Sequence, residues 1–101
     1  MFVMITATCP LDKTVQVTKK FIEATAKPTP PFMKRHQMLV TTNLSSGLKY
    51  VSIYEVDDTK FKEATIEFTK RFVPLYEIEG YRYEIEPMLT AEEALPLIGI
   101  K

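Results

Sequence analysis

Apolar and polar positions change period several times along the chain, and each change marks an element. Residues 2–8, Phe-Val-Met-Ile-Thr-Ala-Thr, are apolar or β-branched on both parities, which predicts a central strand covered on both faces. Pro10 suits an early helical position, where its missing N–H would have no partner anyway. From Leu11 to about Thr25 the apolar positions are Leu11, Val15, Phe21, Ile22 and Ala24 or Ala26, with Asp12, Lys13, Gln16, Lys19, Lys20 and Glu23 on the other side. That spacing predicts an amphipathic helix lying on a sheet. Lys27 to Met33 holds three prolines in seven residues and predicts a stiff, irregular connector.

Two strands follow, from about Arg35 to Thr42 and from Leu48 to Val56. The stretch Asn43-Leu44-Ser45-Ser46-Gly47 between them has the length and residue types of a hairpin connection. Asp57 and Asp58 are placed to cap a second helix, whose inner stripe is Phe61, Ala64, Thr65, Phe68 and Phe72. Pro74 ends or bends it. Gly80 turns the chain, and Tyr81 to Glu86 alternates in the manner of a half-covered strand. Thr90 and Glu93 form a capping box for a short last helix, which Pro96 and Gly99 cut short. The order is βαββαβ plus a helical turn. It predicts an α+β, ferredoxin-like fold with a four-stranded antiparallel sheet and two helices on one face, built as one domain over residues 1–101.

Two helices cover one face of such a sheet and leave the other open. On the last strand Tyr81, Tyr83 and Ile85 are expected to face the helices, with Arg82, Glu84 and Glu86 open. On the third strand Val51 and Ile53 are expected inward, with Tyr50, Ser52, Tyr54 and Val56 open. The second strand offers either His36, Met38 and Val40 or Arg35, Gln37, Leu39 and Thr41, and the first is apolar on both parities. An open face with this much apolar surface calls for a second copy, as a homodimer or larger even oligomer. A lysine replacing Tyr54 would then place a charge in that interface.

Charge and composition narrow the partners. Thirteen basic residues balance thirteen acidic ones, so no basic excess exists to neutralise phosphates, and no nucleic-acid partner is expected. The apolar run Phe2 to Ala7 is too short to span a bilayer, so no membrane partner is expected and the chain reads as cytoplasmic. Cys9 is the lone cysteine, which excludes an internal disulfide and a cysteine-based zinc site; no metal or other cofactor is expected. As a thiol beside Pro10 it reads as a small buried residue rather than a nucleophile.

Three constellations could carry chemistry. His36, the single histidine, could act as a base or ligand but stands after Lys34 and Arg35 at a strand start, where exposure is expected. Glu84 and Glu86 share a strand face with Arg82, which more simply pairs with one of them. Tyr50 and Tyr54 flank Ser52 on one parity, and their hydroxyls suit an oxygenated ligand or a packed interface. A ligand site between packed sheets would therefore be built from Tyr50, Ser52, Tyr54, Arg82 and Glu84.

The βαββαβ pattern and the closing stretch Gly80-Tyr-Arg-Tyr-Glu-Ile-Glu-Pro-Met-Leu-Thr-Ala-Glu-Glu-Ala resemble the dimeric α+β barrel superfamily, in particular its small uncharacterised members. The resemblance implies two ferredoxin-like sheets paired face to face. That superfamily includes cofactor-independent monooxygenases, lactone isomerases and haem-handling enzymes, but one histidine and no tryptophan give none of their catalytic residues a position here. Three functions stay open: a small homo-oligomeric protein that binds a small molecule between sheets, a cofactor-independent monooxygenase or isomerase, and a protein–protein interaction module. No motif fixes a reaction.

Overall fold

The structure is a computed structural model that describes residues 1–100. Its strands are β1 (Phe2–Cys9), β2 (Met33–Asn43), β3 (Gly47–Val56) and β4 (Arg82–Met88), in the order β2-β3-β1-β4 with every neighbouring pair antiparallel. Helices α1 (Thr14–Thr25) and α2 (Phe61–Phe72) make the two crossovers, and the short α3 (Ala91–Ala94) follows β4. This is the α+β, ferredoxin-like arrangement. Among the described residues no helix is long and apolar enough to cross a membrane.

β1 sits at the centre because it is apolar on both parities. Val3, Ile5, Ala7 and Cys9 are buried under the helices, and Phe2, Met4, Thr6 and Thr8 are half-buried on the other face. The helical layer meets the sheet through Val17 of α1, Ala64, Phe68 and Phe72 of α2, and Leu75 and Ile78 beyond it. Phe68 is the largest of the fully buried side chains and stands edge-on to Tyr54, with ring centroids 4.9 Å apart. The expected inner stripe of α2 therefore holds. That of α1 does not. Val17 is its buried residue, with Phe21 and Ala24 on the same side, while Leu11, Val15 and Ile22 point outward. Hydropathy alone could not separate two apolar stripes on opposite sides of one helix.

Local turns follow their residues. The β2–β3 connection is held by the Asn43 side-chain oxygen, which accepts from the Ser46 N–H at 2.7 Å and from both serine hydroxyls at 2.8–2.9 Å. Gly47 ends it at φ +74°, and a Cβ there would stand 2.2 Å from the Cys9 carbonyl oxygen. No other residue type fits that approach. Thr90 and Glu93 form the expected capping box at α3. Asp57 and Asp58 do not cap the second helix with their side chains: Asp58 instead accepts from the Met1 ammonium at 2.7 Å, and Lys60 precedes α2.

Candidate functional site

The register decides which side each candidate faces. In β4 the expected parity holds, since Tyr83 stacks on Phe72 with ring centroids 4.2 Å apart while Arg82, Glu84 and Glu86 are exposed. In β3 it is reversed. Tyr50, Ser52, Tyr54 and Val56 are 4%, 4%, 6% and 1% exposed beneath the helices, and Val51 and Ile53 turn to the open face. The five residues expected to share one site are thus split. Tyr50, Ser52 and Tyr54 lie on the helix side, and Arg82 and Glu84 lie on the far side of the sheet. A site between packed sheets loses its tyrosines.

In β2 neither expected parity is right by itself, because a bulge interrupts the register between Arg35 and Gln37. Arg35 pairs with Tyr54, Met38 with Ser52 and Val40 with Tyr50, so these three share the helix side. His36, the extra residue, turns to the open side, where its Nε2 lies 2.8 Å from Glu55 and its ring 5.7 Å from that of Phe2. The histidine belongs to a surface pair. Among the described residues, no three His, Cys, Asp or Glu side chains come together as a metal site would require.

What the structure does gather is on the helix side, over β3. Helix α1 packs on the turn after α2, and a cleft lined from both helices lies between them. Its inner end is a cavity of ≈ 30 Å³ lined by Ile5, Phe21, Ser52, Tyr54 and Phe68 among others, with room for one or two waters. Ser52 makes no side-chain hydrogen bond among the described residues, yet none of their sealed polar atoms lacks a partner; its hydroxyl therefore borders the cavity. Outward, a chamber of ≈ 210 Å³ is lined by Thr25, Thr29, Arg35, Tyr54 and Arg71. A second chamber of ≈ 360 Å³ lies between the helix ends, lined by Lys20, Glu23, Lys27, Glu67, Lys70 and Arg71 among others. Arg71 borders all three. Sequence alternation missed Arg35 and Arg71, one read as an open-face alternative and the other left outside the expected inner stripe of α2; the bulge that puts Arg35 on the helix side, where it stays exposed, leaves no mark in hydropathy.

Beside the cleft, the tyrosine hydroxyls of Tyr50 and Tyr81 are hydrogen-bonded to each other, and those of Tyr76 and Tyr83 lie 2.6 Å apart. Burial pushes the Tyr50 phenol up to about 12, with the bond to Tyr81 pulling the other way. Tyr81 is pushed up further, first by burial and then by the same bond. Neither phenol is an acid–base group near neutral pH. Burial also pushes the Cys9 thiol up, so it is no activated nucleophile. The arrangement places hydroxyls and guanidinium groups around an aromatic slot.

No protein-family profile matches the chain and no curated protein matches it. Among solved structures it is similar to a formyltetrahydrofolate deformylase from Pseudomonas putida, with a TM-score of 0.43 and 17% identity. That alignment covers 87% of this chain, which spans 29% of the deformylase. The similarity concerns the path of the backbone and says nothing of ligand or reaction.

Proposed function

We propose that this chain is a small-molecule-binding domain of a homo-oligomeric cytoplasmic protein, with its ligand in the cleft between α1 and α2. The observation that carries the reading is Ser52. A serine in the middle of an inner strand, under the helices and without a protein partner, leaves a hydroxyl free to bond a water or a ligand atom in the cavity. The cavity shares Arg71 with two outer chambers, and Thr25 and Tyr54 with one of them, so the three spaces adjoin along the same cleft. Tyr50 and Tyr54 keep the role of lining residues expected for them, in a place other than between sheets.

A separate observation supports association. Phe2, Met4, Val51 and Ile53 are half-buried and Leu39 is 55% exposed on the open face, and together they make a continuous apolar centre. A second copy placed against it would cover this surface without touching the cleft, so binding and assembly use opposite sides of one sheet.

Thermal-shift screening of a small-molecule library against the wild type and Ser52→Val tests the cleft. The valine fills the cavity and removes the hydroxyl at the cost of about one methyl group of volume. Compounds that stabilise the wild type are expected to lose their effect in Ser52→Val. Equal shifts in both proteins would remove the cleft from the function.

A further inference from the structure

We infer that the ligand of this cleft is a small organic acid whose carboxylate is held between Arg35 and Arg71, an assignment that rests on the cleft being the binding site. The two arginines reach the ≈ 210 Å³ chamber from different elements, Arg35 from β2 and Arg71 from α2. Arg35 owes its position to the bulge, since without the extra residue the strand would present it to the other side. Among the described residues, neither guanidinium has a carboxylate within 4.0 Å. Arg71 is nonetheless half-buried, whereas Arg35 is exposed and donates to the Met38 sulfur at 3.8 Å. A partly desolvated cation without a counter-charge is unfavourable, and an incoming anion removes that cost.

The surrounding charges point the same way. The ≈ 210 Å³ chamber has two cations and no acid among its lining residues. The ≈ 360 Å³ chamber has four cations and two carboxylates, but Lys20 is already paired with Glu77 and Lys70 with Glu67, so Arg71 and Lys27 are its cations outside those pairs. Guanidinium forks match planar carboxylates through paired hydrogen bonds. The other walls of the chamber are the Tyr54 ring and the Thr25 and Thr29 side chains, which suit a small acid with a short apolar body beside hydroxyl groups. A chamber of this volume takes a small acid rather than a nucleotide.

The test compares phenylacetate, indoleacetate and hexanoate with their primary amides by titration calorimetry, on the wild type and on Arg35→Gln, Arg71→Gln, Ser52→Val and Arg82→Gln. At least one acid is expected to bind tenfold or more tightly than its amide, and each of Arg35→Gln and Arg71→Gln is expected to weaken it about tenfold, as loss of a charge-assisted bond does. Arg82→Gln, on the opposite face, should leave it unchanged. The acid-to-amide ratio is read on the wild type, so it stands even if a variant fails to fold. Amides that bind as well as acids, with both lost in Ser52→Val, overturn the anion and leave the cleft standing. Inorganic phosphate competing as tightly as the acids overturns the carboxylate class. No binding by any of the three acids overturns the inference, and the cleft itself stands or falls by the library screen on the wild type and Ser52→Val.

Discussion

Replacing Gly47 by alanine is expected to cost this fold far more than replacing Gly99, although the two have similar backbone angles, φ +74° and +84°. An alanine in the left-handed region costs roughly 1–2 kcal/mol, offset in part by a less disordered unfolded chain. At Gly99 nothing lies within 4 Å of the added carbon, so that is the whole effect. At Gly47 the same carbon would stand 2.2 Å from the Cys9 carbonyl oxygen and 3.2 Å from the Leu11 nitrogen, both backbone atoms. Relief requires the end of β1 to move away from β3, which opens the Cys9–Leu48 pairing and disturbs Leu48 in the core. One or two weakened ladder bonds at about 1 kcal/mol each bring the total to roughly 3 kcal/mol. That is a large share of the stability expected of a small domain, about 5–15 kcal/mol. Urea unfolding at fixed protein concentration reads it as a lower midpoint with an unchanged slope. If Gly47→Ala and Gly99→Ala unfold within about 0.5 kcal/mol of each other, the close approach of the hairpin to β1 is not what holds Gly47.

Phenol ionisation gives a second measurement. Tyr50 is held protonated in the folded protein to about 12 against an ordinary value of 10, so stability is retained below pH 10 and is lost as pH rises toward 12. Absorbance titration should show Tyr50 and Tyr81 ionising only with unfolding, and reversible ionisation of all five tyrosines near pH 10 in the native state would contradict their burial. Assembly through the open face predicts that Ile53→Lys converts the protein to a monomer by light scattering with little loss of helical signal. A monomeric wild type at micromolar concentration, or an unaffected Ile53→Lys oligomer, removes that face from the interface. Tyr54→Lys is no test of it, because Tyr54 stands against Phe68 in the core and a lysine there is expected to unfold the domain.

How far residue order betrays three-dimensional order can be read strand by strand. From Tyr81 to Glu86 each apolar or aromatic residue is followed by an ion, and burial follows the alternation: Tyr83 goes in and Glu84 goes out. In β3 the alternatives are Val51 and Ile53 against Tyr50, Ser52 and Tyr54, and simple hydrophobicity favours the aliphatic pair for the core. The fold chooses the other set because Tyr50 finds a hydroxyl partner in Tyr81, and because rings from α1 and α2 meet Tyr50 and Tyr54 edge-on. Such partners come from distant segments, which alternation within one strand does not sample. The βαββαβ order was legible for the opposite reason. It is written in local signals, the proline-rich connector, the Asn43–Gly47 turn and the Thr90 cap, each acting within a few residues. The cleft was invisible because it depends on how two helices sit side by side and on one inserted residue in β2.

That inserted residue also governs how the sheet ends. β2 is an outer strand of eleven residues, and a long free edge invites a foreign strand to add by its backbone. The break in register between Arg35 and Gln37 denies an incoming strand one straight run of pairing along it. At the other edge, Pro87 in β4 has no N–H to offer. With both rims blunted, the sheet is poorly built to propagate sideways into fibres, and the proposed assembly is left the open face rather than an edge.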